Sequence, residues 1–449
     1  MPEKYTYRMV DLARWVTSIV AIPPRVRQSV VNVVADAVAA AAAGSRLLGS
    51  TAAQRAALSF WGYGSSSIWF TGQKAPPQAA TFANAMSTSI LDIDDGHRAA
   101  TGHPGSAIVT AVLAFGEDIM ASDDQIITAI AIGYETGIRY SACRNIREID
   151  TAATGRWCGV GVVAAVGWLN GDDVITIAHA MAIAGAIAPH NMASEGSGVG
   201  HDIKEAIPFG AADGYMSLAS ARAGMTGPLD ILDRECFNEN VLTGGDGETW
   251  YIETTYFKLY SCCRWIHAPI DAVLKIGEEF SDWAAVKEIL VETFQATMRL
   301  PNQPRPGSLQ AAQYSSQFCI AAAAIHGARC LQPLSESLLT DDKVLTLAAK
   351  INLRVDQELD KAFPRNVPGR VTVRTIGEPI VVEVATPRGE TSNPLSWDEH
   401  MQKLWTLAMP ALGRDRTLEL EEALVSLSKN RDFKLLFNFL SASDRKILL

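Results

Sequence analysis

A chain of 449 residues exceeds what one compact hydrophobic core supports, so two or three domains are expected. With 48% hydrophobic and 20% charged residues it has the balance of an ordered globular protein, and its formal charge of −10 argues against nucleic acid or an anionic membrane as the main partner. A small anionic substrate stays open, because lysines and arginines in a cleft create a local positive field inside an acidic protein. The seven cysteines (Cys143, Cys158, Cys236, Cys262, Cys263, Cys319 and Cys330) are odd in number and lack the spacing of a disulfide framework, a zinc site or an iron–sulfur site. A reducing, cytoplasmic setting without a bound metal is therefore expected. Met1 to Tyr5 leads into an amphipathic segment without the charged start, apolar stretch and cleavage site of a secretion signal.

In chain order, Met9 to Gly44 predicts two helices broken at Pro23-Pro24, the second rich in Ala and Val. Further helices are predicted at 51–62, 77–91, 105–119, 123–143, 156–169, 173–187 and 206–223. Several are apolar on most faces, as at Val160-Gly161-Val162-Val163-Ala164-Ala165, which places them centrally in a large helical assembly. The uncharged run Val174 to Ser194 is long enough to span a bilayer, but its Ala and Gly content and its His179, Pro189, His190 and Asn191 read as a buried helix followed by a loop. After Trp250 the texture changes. Tyr251 to Tyr260 reads as extended, Cys262 to Phe280 as helical, and Val286 to Met298 alternates like a strand. Helices at Leu309 to Ile325 and Asp341 to Lys350 follow, then a hairpin of Arg370 to Thr375 and Ile380 to Thr386 joined at Ile376-Gly377-Glu378-Pro379. Helices return at Trp397 to Leu412 and Leu418 to Leu440. The fold class is mostly α, a large all-α helical part with a smaller α+β unit over about residues 275–392.

Three segments concentrate chemistry. The first, Leu91-Asp92-Ile93-Asp94-Asp95-Gly96-His97-Arg98 through His103-Pro104-Gly105-Ser106, packs carboxylates, imidazoles and a guanidinium into a loop between apolar helices. Singly these residues read as a capped helix junction, with Asp94 or Asp95 as the cap and His103 as a satisfied interhelical histidine, but the whole set points to proton transfer and anion binding. The second, Ser197 to Phe209, has Gly196, Gly198 and Gly200 without the strand or register of a phosphate loop. Its Lys204, just before an Ala-rich helix, is either a surface lysine or a buried cation needing an acid or an anion. The third, Lys258-Leu259-Tyr260-Ser261-Cys262-Cys263-Arg264-Trp265-Ile266-His267, offers Lys258, Arg264 and His267 as cations and Tyr260 or Cys263 for proton transfer; its plain alternative is a strand-to-helix junction with buried apolar cysteines. His179, His190, His326 and His400 read as structural or exposed, while Tyr314, Ser315, Ser316 and Gln317 can line a cleft from the lid.

Together these segments resemble the MmgE/PrpD family, which includes 2-methylcitrate dehydratases, cis-aconitate decarboxylases and iminodisuccinate epimerases. The likeness rests on Leu91-Asp92-Ile93-Asp94-Asp95 followed by His103-Pro104-Gly105-Ser106, Lys204 ahead of Ala211-Ala212, and Lys258 to Cys263 with His267. The resemblance implies a helical domain formed by residues 1–270 together with 393–449, a lid of residues 271–392, and an active site between them. It implies a cofactor-free homodimer acting on di- or tricarboxylates, with site positions at Asp92, His103, Lys204, Lys258 and Cys263 and a lid tyrosine near Phe318, beside Gln317. The sequence departs from the pattern at Ala152, near which many relatives have a histidine, and at Gly96, where many have Thr.

The expected mechanism is acid/base chemistry next to a carboxylate, with His103 as base or acid, Asp92 orienting it, and Lys204 and Lys258 holding carboxylates. His97, Arg98, Tyr260, Arg264, His267 and Gln317 are expected to contact substrate. Dehydration is the first expectation, decarboxylation and epimerisation are alternatives, and a non-catalytic carboxylate-binding protein is the reading from another class.

Overall fold

The computed structural model describes residues 7–145, 153–189, 200–244 and 249–443. Met1 to Tyr5, Ala152, His190 to Ser194 and the glycine-rich stretch from Gly196 to Val199 lie outside the described residues.

The architecture is mostly α. Helices Pro24–Gly44, Pro77–Ser89, Pro104–Asp118, Asp123–Ala142, Cys158–Asn170, Val174–Ile187 and Ile207–Arg222 pack on one another, and Trp397–Leu412 and Arg414–Asn430 return from the far end of the chain to the helix at Pro24–Gly44. Their small residues permit close crossings. A Cβ on Gly44 would lie 2.1 Å from the carbonyl oxygen of Ser87, so the helix ending there meets Pro77–Ser89 at backbone distance. The one described helix long and apolar enough to cross a bilayer, Pro24–Gly44, is mostly buried in this helical layer.

A second core runs from Tyr260 to Val384 and is distinct from the helical core, which contains Met9 to Phe257 and Leu395 to Leu440. It is built on a four-stranded sheet ordered Ile351–Val355, Glu288–Thr293, Gly369–Arg374, Ile380–Val384, the first pair parallel and the other two antiparallel. Helices His267–Gly277, Ser316–His326 and Asp342–Ala348 pack with this unit. The predicted hairpin is present. Other boundaries differ for local reasons. Tyr251 to Thr254 forms a 3-10 turn before a two-residue strand, and Leu309 to Ile325 breaks into Leu309–Ala312 and Ser316–His326, where the Ser315 hydroxyl accepts from the Phe318 N–H and caps the second helix. Strand Ile351–Val355 is an addition to the sequence reading.

The fold places three connecting segments against one another: the loop after Pro77–Ser89, the turn before Ile207–Arg222, and the stretch between Thr255 and His267. A short antiparallel ribbon pairs Gly96 with Tyr256 and His97 with Thr255, fixing the first segment on the third.

Candidate active site

Asp92 is the centre of the site. It is 1% exposed, and its φ of +52° holds it in the left-handed region, which costs a non-glycine residue about 1–2 kcal/mol. The turn aims its carboxylate at two cations. Lys204 Nζ donates to Oδ1 at 2.5 Å, while Lys258 Nζ stands 2.8 Å from Oδ2 as an ion pair without hydrogen-bond alignment. Burial pushes the Asp92 carboxyl up, but Lys204, Lys258 and His103 together pull it well below the ordinary carboxylate range, so it is ionised. Burial lowers Lys204, and Asp92, Tyr314 and Glu205 more than offset it, raising this ammonium well above its usual value. The doubtful lysine of the sequence is thus a buried cation with an acid partner, its side chain 4% exposed.

His103 precedes helix Pro104–Asp118, and its backbone N–H donates to Thr154 Oγ1 at 3.0 Å. Its ring is oriented by a group that can only accept: Nδ1 lies 2.8 Å from the carbonyl oxygen of Asp95, so Nδ1 carries the proton in the neutral imidazole. Nε2 is then the basic nitrogen. It faces Asp92 Oδ1 at 3.4 Å and Glu205 Oε1 at 3.8 Å. Asp94 Oδ1 lies 3.5 Å from Nδ1, and neither oxygen of this buried carboxyl has a hydrogen-bond partner among the described residues.

Two side chains complete the cluster. Glu205 Oε2 accepts from the Thr154 N–H and hydroxyl at 3.0 and 2.7 Å, leaving Oε1 3.8 Å from Lys204 Nζ. Burial raises Glu205, but Lys204, His103 and Thr154 outweigh it and bring the carboxyl below its ordinary value. Glu205 and Ala206 have φ of +48° and +54°, so the backbone is strained beside the chemistry. From the lid, Tyr314 OH lies 2.6 Å from Lys204 Nζ, and burial leads the effects that keep this phenol protonated. Tyr314 is the lid tyrosine that reaches the site; Phe318 lies fully buried in the lid core. Sequence reading missed Glu205, although its position beside Lys204 was a visible signal, and named Tyr314 only as a cleft residue.

The structure therefore brings Asp92, His103, Lys204 and Lys258 together and distributes the other predicted residues around them. Cys263 is half-buried, and burial pushes its thiol up to about 12, so it is no base at neutral pH. Tyr260 donates to Asp271 Oδ1 at 2.7 Å. His97 bonds Thr254 Oγ1 at 2.8 Å and accepts from the Ala100 N–H, and His267 Nδ1 lies 3.0 Å from Arg264 Nη1. Arg98 and Arg264 share the carboxylate of Glu390. Gln317 sits in the first turn of Ser316–His326, its Oε1 buried without a partner among the described residues. Asp92, Asp94 and His103 have ligand atoms within 4.8 Å of one another, a grouping that can hold a cation. A metal would compete there with the two ammonium groups already on Asp92, so the donor set does not fit one well.

The assembly can abstract or deliver a proton at Nε2, donate one from the Lys204–Tyr314 pair, and hold carboxylates on its ammonium groups. Residues 10–249 match the model of the MmgE/PrpD N-terminal domain and residues 260–428 that of the MmgE/PrpD C-terminal domain. The chain is 25% identical to cis-aconitate decarboxylase of Aspergillus terreus (strain NIH 2624 / FGSC A1156), over 96% of this chain and 95% of the relative. It is also 25% identical to the cis-aconitate decarboxylase-like protein oryM of Aspergillus oryzae (strain ATCC 42149 / RIB 40), over 96% of each.

Proposed function

This chain belongs to the MmgE/PrpD family, and from that premise we propose that it is a lyase acting on a tricarboxylate of the cis-aconitate class by proton transfer next to a carboxylate. The observation that carries the reading is the orientation of His103, whose Nε2 lone pair is presented beside a carboxylate that two lysines hold ionised. The full-length similarity to a protein named cis-aconitate decarboxylase and to one named cis-aconitate decarboxylase-like favours decarboxylation as the reaction. In that reaction the carboxylate on the substrate's methylene carbon leaves as carbon dioxide. Its bonding electrons form a new terminal double bond, and the old double bond takes a proton at its carboxylate-bearing CH. His103 as imidazolium, or the Lys204–Tyr314 pair, supplies that proton; the lysines offset the carbanionic charge.

Dehydration is the second reading, favoured by the same pair: His103 removes a proton while Lys204 or Tyr314 protonates the departing hydroxyl. Incubation in heavy water with cis-aconitate, 2-methylcitrate, citrate and iminodisuccinate, followed by proton NMR, separates the reactions. We expect carbon dioxide loss from cis-aconitate with deuterium entering one carbon, and His103→Ala to abolish it. Water loss from 2-methylcitrate alone would favour the second reading, deuterium exchange with inversion would indicate an epimerase, and no turnover of any substrate would overturn the lyase reading.

The family likeness also supports a cofactor-free homodimer, and Leu48, Phe60, Tyr63, Phe209 and Met216 are apolar side chains left exposed on the single chain. Sedimentation should give twice the 48.3 kDa of one chain; a 48.3 kDa particle at micromolar concentration would rule the dimer out.

A further inference from the structure

We propose that Arg98, Tyr256 and Arg264 form a second anion subsite, which takes the substrate carboxylate remote from His103. The inference rests on the polycarboxylate reading above and specifies how many carboxylates the protein recognises.

The short ribbon sets the geometry. Gly96 lies opposite Tyr256 and His97 opposite Thr255, and residues directly opposite in an antiparallel pair share a face. Arg98 lies in the turn just after this ribbon and Lys258 two residues beyond Tyr256, so it is their contacts that place these side chains. Phe257 packs its ring edge-on against His400 at 4.5 Å and His97 packs against Tyr251, whereas Lys258 reaches Asp92 and Tyr256 reaches both arginines. Gly96 is required for this packing, since a Cβ there would lie 2.3 Å from the Tyr256 hydroxyl oxygen.

Tyr256 lies with its ring centroid 5.2 Å from the Arg98 guanidinium carbon and 5.0 Å from that of Arg264. Its hydroxyl has no hydrogen-bond partner among the described residues. Arg264 is 3% exposed on its side chain; Nε bonds Glu390 Oε1 at 2.8 Å, and Nη1 reaches His267 Nδ1 at 3.0 Å and the Arg388 carbonyl at 3.2 Å. Its Nη2 is buried with no partner among the described residues. The one carboxylate of Glu390 serves both guanidiniums, so the trio carries a formal charge of +1. Asp271 engages Tyr260 and the Arg388 N–H instead. A buried cation with a spare N–H group, next to a free phenol two residues before Lys258, lacks an anion. A carboxylate supplies both the charge and the acceptor oxygens.

The test is calorimetric binding of two unreactive anions, tricarballylate and methylsuccinate, which differ by one terminal carboxylate. The parent protein should bind tricarballylate at least about tenfold more tightly, and Tyr256→Phe and Arg98→Gln should each remove most of that advantage while leaving methylsuccinate affinity unchanged. Tyr256→Phe keeps the ring between the arginines, so its result does not depend on whether an arginine variant folds. Unchanged discrimination in both variants, equal weakening of both ligands, or a parent that binds both equally would overturn the subsite and leave the polycarboxylate reading standing. A parent that binds neither would overturn both.

Discussion

Asp92→Asn is expected to lower turnover at least about a hundredfold and to destabilise the protein by about 3–5 kcal/mol. The carboxylate is the common partner of two buried ammonium groups at 2.5 and 2.8 Å, and an amide keeps the shape while removing the charge. Lys204 would keep the neutral Tyr314 hydroxyl and, as its remaining acid among the described residues, Glu205 at 3.8 Å, and nothing else places an acid on Lys258 Nζ within ion-pair distance among the described residues. Much of the cost is therefore that of two cations left buried and under-compensated, not the net worth of the ion pairs. This separates it from a simple loss of packing. Adding Lys258→Met to Asp92→Asn should recover part of the lost stability, since it removes one of the stranded charges, without recovering turnover. Urea unfolding and steady-state rates on the parent, both single variants and the double variant check this. Additive stability changes, or a single variant as stable as the parent, would show that Asp92 does not hold the lysines.

The second large effect is on acid stability. His400 is 4% exposed, its Nε2 has no partner among the described residues, and its ring packs against Phe257; burial, helped by Lys403, pushes it down to about 3 from an ordinary 6.5. Burial likewise pushes His97 down to about 4. For such groups the unfolded chain binds the extra proton, so their stabilising contribution is complete above pH about 6.5 and is lost as pH falls toward the folded values. Asp36 and Asp95, whose carboxyls burial raises, act in the opposite sense, gaining stability as pH falls through the same region. The total slope thus mixes both kinds of group, and a variant isolates one of them. The stability of His400→Phe relative to the parent should shift in the variant's favour by about 2 kcal/mol between pH about 7.5 and pH about 5. Equilibrium unfolding at the two pH values measures it, and a pH-independent difference would show that His400 is free to protonate in the folded protein.

Helices were legible wherever their apolar spacing was strong, as in Trp397–Leu412 and Val174–Ile187, because helical hydrogen bonds close within four residues. Strand Ile351–Val355 is different. Its alternation is only five residues long, and its stability comes from parallel pairing with Glu288–Thr293, a partner that local pattern does not name. The broken helix at Leu309 to Ile325 fails for a related reason: the Ser315 cap competes with continuation of the helix, and apolar content alone does not report the competition.

By itself the sequence marked a mostly helical protein with a smaller α+β unit and singled out the charged loop from Asp92 to Ser106, while the grouping of Lys204 and Lys258 with that loop came from the resemblance to the MmgE/PrpD family. A run of charge in an otherwise apolar context is costly to bury without a purpose, so its residues stand out from composition alone. Only the tertiary structure decided which of them meet. Asp92 and Lys204 are separated by 112 positions, and Glu205 and Tyr314 join them through a strained turn and a lid segment. It also divided the loop, since His97 packs with Thr254 and Tyr251 while Arg98 reaches Glu390 and Tyr256. Which nitrogen of His103 is basic was likewise decided by the fold, through the Asp95 carbonyl, because a proton's position follows from the partner that three-dimensional packing supplies.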